Sequence, residues 1–318
     1  MHYKNTAKYI VLTLGNLVFF YYLYLWFQSN IHWDSFIKAF FEIPLSAIFT
    51  VLLLGISTLG FYAERLSCLI GKKRDICFWV VSFGFGANNI FPFRIGDILK
   101  LFFARKYFHI SAAKLLFVKV MEKFFDLSAL LVIGALAVLL FGAVAVKHDY
   151  LVWIAAFLVA CLGITFMAVA IMQSESKWVK AIRKNNQIND ICILFHEVIS
   201  NPAIKRSLYA TVIIWVVTVF MMYMYYRLTL QYFQVGLYDV LSLVFLTTMS
   251  FGIPAAPGGV GLFEAAIVFY LTKFVGVPTE KSLATALVLH FLLAFPQIIF
   301  MLFAIIKANL IVVPKPPL

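Results

Sequence analysis

Residues Phe251–Glu264 read FGIPAAPGGVGLFE, and they separate two apolar runs of 11 residues each, Val240–Ser250 and Ala265–Val275. A helix needs ~20 apolar residues to cross a bilayer. Two half-length runs joined by Pro and Gly therefore predict a broken or re-entrant membrane helix. Pro254 and Pro257 stop a helix because each lacks an N–H and clashes with the preceding turn. Gly258, Gly259 and Gly261 open backbone angles closed to other residues and allow another chain or a ligand to approach. Glu264 falls in the first turn of the second half. A carboxylate is favoured at that positive helix end, but it is costly in hydrocarbon without partners. The competing reading is a water-exposed loop followed by an ordinary helix-start glutamate.

Composition places the break in a membrane. The chain has 318 residues, 64% hydrophobic and only 13% charged, with a mean hydropathy of +0.97. This is the composition of an all-α polytopic membrane protein, and no segment is long and polar enough for a separate soluble enzymatic domain. The formal charge of +12 predicts cytoplasmic loops and anionic headgroups rather than a nucleic-acid partner. Cys68, Cys77, Cys161 and Cys192 form neither a CxxC pair nor a zinc spacing and read as packing residues. No metal is expected.

Outward from the break, six full spans are predicted at Tyr9–Phe27, Ile43–Tyr62, Leu127–Val146, Leu151–Met172, Leu208–Tyr226 and Leu283–Ile306. The first follows Lys4 and Lys8 and is too long for a signal-peptide core, so it reads as retained. Gln28–Phe41 reads as a connection, and Glu64–Arg65 as an interfacial anchor ending the second span. Gln173–Arg206 reads as helices lying at the membrane surface. Basic residues concentrate in the N-terminus, Arg65–Lys123, Gln173–Arg206 and the C-terminal tail. The charge-poor connections alternate with these only if two segments enter the membrane and return. Ile76–Phe108 would dip from the cytoplasm and Val240–Val275 from the outside. One transmembrane domain over residues 1–318 follows, with halves of roughly 40–146 and 207–306 in an inverted repeat, both termini cytoplasmic, in a cell (inner or plasma) membrane.

The first hairpin repeats the logic of the second: NNIFPFRIGD carries Asn89, Pro92, Arg94, Gly96 and Asp97. A half-helix starting near Gly96 offers free N–H groups to a phosphate or carboxylate, and Arg94 adds a planar fork of donors. Asp97 is placed to pair with Arg94 or Lys100. The alternative is an Arg94 that snorkels to headgroups. On Ala113–Asp126, a helix places Lys119, Glu122, Lys123 and Asp126 within an arc of roughly 100°. Lys119/Glu122 and Lys123/Asp126 stand three apart and can neutralise each other. This face lines a polar cavity or is a solvated amphipathic surface. His290, inside the last span, is either a neutral hydrogen-bonded residue or a substrate or proton site.

Three elements, Asn89-x-x-Pro92-x-Arg94-x-Gly96-Asp97, Glu122-Lys123-x-x-Asp126 and Pro257-Gly258-Gly259-Val260-Gly261-x-x-Glu264, carry a family resemblance. From about Ile76 to Ile306 the chain resembles the transmembrane region of lysylphosphatidylglycerol synthase/flippase proteins. The resemblance implies a stand-alone, flippase-like member without the aminoacyl transferase domain. It implies translocation of a lipid between leaflets, the substrate being a phospholipid or lipid-linked sugar with a phosphate-containing headgroup. The candidate binding residues are Asn89, Arg94, Asp97, Lys100, Lys119, Glu122, Lys123, Asp126, Gly258, Gly259, Glu264 and His290. No catalytic residue and no cofactor are expected, and the absence of a GxxxxGK[ST] motif gives no indication of ATP. A homodimer is compatible with the sequence. The rival function is a membrane-embedded glycosyl or headgroup transferase with Glu264 or Asp97 as general base.

Overall fold

The computed structural model describes residues 31–109, 112–142, 203–252 and 257–311, together with Tyr21, Leu25 and Ser29. Among these residues there are helices and turns and no strand. In chain order the helices are α1 (Trp33–Phe41), α2 (Leu45–Ile70), α3 (Arg74–Ile90), α4 (Ile95–Phe108) and α5 (Ala112–Gly142), then α6 (Ala203–Thr229), α7 (Leu237–Gly252), α8 (Leu262–Tyr270) and α9 (Thr279–Ile311). Among the described residues, four stretches are long and apolar enough to cross a membrane: Leu45–Ile70, Ile204–Thr229, Pro257–Val275 and Thr279–Ala308. Their outer faces are apolar too. Leu53 is 72% exposed and Val216 61% exposed, which is tolerable only where the solvent is lipid. The chain is an all-α polytopic membrane protein.

Local chemistry explains the element ends. Phe91 precedes Pro92 and is extended (φ −100°, ψ 139°), as the proline ring demands of its predecessor; α3 stops there. Gly71 closes α2 in the left-handed region at φ 67°, where the missing Cβ removes the steric penalty. The Asp239 carboxylate accepts the Gly236 N–H (2.7 Å) at the start of α7 and the Tyr270 hydroxyl (3.0 Å) at the end of α8. It thus caps one leg of the second hairpin and ties it to the other.

Two helix–break–helix hairpins, α3–α4 and α7–α8, meet at their tips, the turns Pro92–Arg94 and Pro257–Gly259. α9 packs along α3, and α6 along α2. Two apolar cores result. One joins α2, α5, α6, α7, α8 and α9 through Ile214, Tyr225, Leu243, Ile267 and Leu289. The other joins α2, α3, α4, α5 and α9 through Leu66, Val80, Phe103, Val118 and Ala304.

Without lipid-excluding force between helices, close packing depends on small residues. A Cβ on Gly86 would collide with Met301 and the Gln297 backbone of α9; one on Gly96 would collide with the backbone of α3. The substitution Gly86→Leu is therefore expected to separate α3 from α9 and to destabilise the protein by at least ~1–3 kcal/mol, the usual cost of overpacking. A lowered thermal midpoint in detergent is the readout.

Several boundaries differ from the sequence expectation. The connection Gln28–Phe41 contains α1, whose Ala39 is buried against α9 while Trp33, Ile37 and Phe41 stay exposed. The second span runs on to Ile70, so Glu64 and Arg65 lie within it. Ala113–Asp126 and the following span form one helix of 31 residues as far as Gly142. The runs flanking the second break are longer than 11 residues: α7 has 16, and Pro257–Val275, at 19 residues, is itself long enough to span. The last helix passes Pro296 without ending. The spans Tyr9–Phe27 (Tyr21 and Leu25 aside) and Leu151–Met172, Cys161 and Cys192, and the surface helices as far as residue 202 lie outside the described residues. Cys77 is buried and Cys68 half-buried, both as free thiols.

Candidate headgroup cavity

Between the two cores lies a cavity of about 310 Å³. Of the twelve residues singled out in the sequence, eleven line it: Asn89, Arg94, Asp97, Lys100, Lys119, Glu122, Lys123, Asp126, Gly258, Gly259 and His290. Glu264 does not. It stands behind His290 and faces an apolar groove on the other side.

The charges pair across helices rather than along them. Lys119 Nζ reaches Asp97 Oδ1 at 2.7 Å. Lys100 Nζ lies 3.1 and 3.3 Å from the two Glu122 oxygens, both residues being nearly buried. Asp126 takes both arms of the Arg65 fork, at 2.6 and 3.1 Å. The i,i+3 neutralisation expected within α5 is thus replaced by ties to α2 and α4. The physical reason is burial: a side chain on the inner face of α5 finds its counter-charge on the facing helix, not along its own surface. Glu122 is only 5% exposed, which does not fit a solvated amphipathic face.

Arg94 is held unusually. Phe93 and Arg94 both have positive φ (60° and 55°), a conformation that costs non-glycine residues of order 1–3 kcal/mol each. The turn aims the guanidinium across the hairpin junction, where Nη1 donates to the Phe251 carbonyl at 2.8 Å. Its Nε lies 3.9 Å from Asp97, too far for a hydrogen bond. Lys123 has no ion pair among the described residues. Among the described residues lining the cavity, five cationic side chains (Arg65, Arg94, Lys100, Lys119, Lys123) face three carboxylates (Asp97, Glu122, Asp126). The excess is two positive charges, and it rests on Arg94 and Lys123.

The start of α4 offers less than the sequence suggested. The Ile95 N–H bonds the Pro92 carbonyl, and the Asp97 N–H bonds Asn88 Oδ1 at 3.2 Å while Asn88 Nδ2 returns to Asp97 Oδ1. Two of the helix-end donors are already taken by protein, so side chains are left to meet an anion. Asn89 donates to Gln297 Oε1 at 2.8 Å and lies against Gly258 of the other tip. Gly258 (φ 63°) and Gly259 (φ 75°) keep that tip close, since a Cβ on Gly259 would press the Phe251 ring.

Both readings of Glu264 hold in part. One oxygen does the ordinary helix-start job, accepting the Gly261 N–H at 2.7 Å. The other meets His290 Nδ1 at 2.5 Å, and His290 Nε2 donates to the Gly258 carbonyl at 3.0 Å. The pair is buried and walled by Phe251 and Phe263; residues 253–256 of the break lie outside the described residues.

Arg65, Gln297 and Trp215 also line the cavity and were not among the expected site residues. Arg65, read as an interfacial anchor, is 1% exposed and sits over the Tyr62 ring at 4.9 Å. The apolar residues after it, Leu66, Cys68, Leu69 and Ile70, were the available signal that its helix continues. Gln297 was visible as a lone amide in an apolar span. No cluster of three or more His, Cys, Asp and Glu able to hold a metal occurs among the described residues.

These features define a polytopic helical membrane protein with a charged cavity between two broken-helix hairpins. The profile of the lysylphosphatidylglycerol synthase transmembrane region matches residues 11–300, and the chain belongs to that family. No curated protein and no solved structure matches it.

Proposed function

We propose that the chain moves a lipid with an anionic, phosphate-containing headgroup between the leaflets of the cell membrane, as a flippase-like transporter. The carrying observation is the two-charge cationic excess among the described lining residues, carried by Arg94 at the first tip and Lys123 on α5. A phosphodiester supplies the missing negative charge, and the Arg94 fork matches its oxygens. The volume, about 310 Å³, suits a small headgroup, while acyl chains remain along the apolar outer faces. In this reading the hairpins are re-entrant, enter from opposite sides as an inverted repeat, and meet near the midplane. Both termini face the cytoplasm. The chain alters no covalent bond; the paired carboxylates balance the cationic wall.

The test is reconstitution of the purified protein in liposomes containing labelled anionic phospholipid or lipid-linked sugar. Leaflet exchange is followed with an external quencher and lipid composition by mass spectrometry. Exchange without a new lipid species supports transport. A new lipid species supports the transferase instead, and the absence of both outcomes overturns the proposal.

A further inference from the structure

The Glu264–His290 pair separates two spaces. His290 lines the polar cavity, whereas Glu264 lines a largely apolar groove of about 520 Å³ between α8 and α9. The hydrogen-bond geometry fixes the pair's proton count. The Gly258 carbonyl can only accept, so His290 Nε2 carries a hydrogen. Nδ1 and Glu264 Oε1 stand 2.5 Å apart, and two lone pairs cannot face each other at that distance. A second proton lies between them. The pair is either a carboxylic acid on a neutral imidazole or a carboxylate on an imidazolium, and in both forms its net charge is zero. Removing the bridging proton sets a carboxylate against an imidazole lone pair inside a wall of phenyl rings, which low polarity makes untenable.

Each member also grips the second hairpin tip. Glu264 holds the Gly261 N–H, and His290 holds the Gly258 carbonyl. Gly258 in turn lies against Asn89 of the first tip. Parting the pair frees residues 257–261 from α9 and loosens the junction of the hairpins.

We propose that Glu264 and His290 form a proton-binding latch: the bridging proton holds the second tip closed, and its release to water in the cavity lets the tip move. If the transport reading holds, on which this clause rests, lipid passage is coupled to proton movement. The charged groups sharing the cavity with His290 are Arg65 from α2, Arg94 from the first tip, Asp97 and Lys100 from α4, and Lys119, Glu122, Lys123 and Asp126 from α5. Tyr62 of α2 also faces it, and Lys273 faces Glu264 along the groove. Among the described lining residues, α3, α6 and α7 contribute none.

The latch is tested on the full chain in nanodiscs without substrate, by amide hydrogen exchange of residues 258–261 from mildly acid to mildly alkaline buffer, corrected for intrinsic rates. In wild type, exchange is expected to rise at least about tenfold as pH increases, the mark of local opening. In Glu264→Gln the amide donates to Nδ1 and accepts from Gly261, copying the protonated pair; its tip is expected to stay protected throughout. A flat wild-type profile, or equal profiles in the two proteins, overturns the latch. In liposomes under a pH gradient, the wild-type lipid exchange rate is expected to follow the gradient. The Glu264→Gln rate is expected to be lower and indifferent to it. Gradient-blind wild-type exchange overturns the coupling. Absence of any wild-type exchange counts against the transport reading alone, because the amide measurement judges the latch by itself.

Discussion

Arg94→Ala is expected to slow leaflet exchange of an anionic phospholipid by about 100-fold, because hydrogen bonds to charged groups contribute ~1.5–3 kcal/mol and ~1.4 kcal/mol is a factor of ten. Two things are lost together. One is the fork presented to phosphate; the other is the bond to the Phe251 carbonyl, which joins the hairpins. Arg94→Lys keeps the charge but not the planar pair of donors, and an intermediate loss of about tenfold is expected for one charge-assisted bond. Lys72→Ala, at an exposed position before α3, is the matching control and should leave the rate unchanged. An Arg94→Ala protein exchanging lipid at the wild-type rate would remove the phosphate site from the account.

Glu122→Ala is expected to have the largest effect on stability. Glu122 and Lys100 are 5% and 8% exposed, and their ion pair at 3.1 Å links α5 to α4 in the wall of the cavity. Removing one partner strands the other's charge, which typically costs ~3–5 kcal/mol. Replacing both by apolar side chains of similar length removes the charge altogether. The Lys100 stem lies against Gly84, where there is no room for a Cβ, so methionine suits that position. Lys100→Met with Glu122→Met is expected to recover most of the stability lost in Glu122→Ala. Thermal unfolding of the variants checks this, and a single and double replacement that are equally unstable would mean that the pair is not the cause.

Local chemistry in the sequence pointed to the right places. Pro92 and Pro257 mark the tips, and Gly258 and Gly259 mark a close approach, because backbone sterics are decided within a few residues. The charged face of α5 was visible because helical periodicity puts Lys119, Glu122, Lys123 and Asp126 together. Their partners were not visible. Nothing in the spacing of α5 names Arg65 for Asp126 or Lys100 for Glu122, since these pairs depend on how separate helices are packed. The same limit hid the capping of Asp97 by Asn88, which takes up a donor expected to be free. Helix ends were misplaced where polarity and structure part company. Glu64 and Arg65 resemble the end of a span, yet the helix continues because the buried Arg65 finds the Asp126 carboxylate on α5. Glu264 was placed in the cavity on its motif, whereas His290 stands in front of it.

A headgroup cavity at the hairpin junction requires both tips to lie at depth in the bilayer. Spin labels at Phe91→Cys and Val260→Cys, exposed residues beside the two tips, report this directly in a background with the four native cysteines replaced. With a hydrocarbon core of ~30 Å, both labels are expected about 10–15 Å below the nearer headgroup plane, accessible to oxygen and shielded from a water-soluble nickel reagent. Either label found at headgroup depth, or open to bulk water, would contradict a midplane cavity.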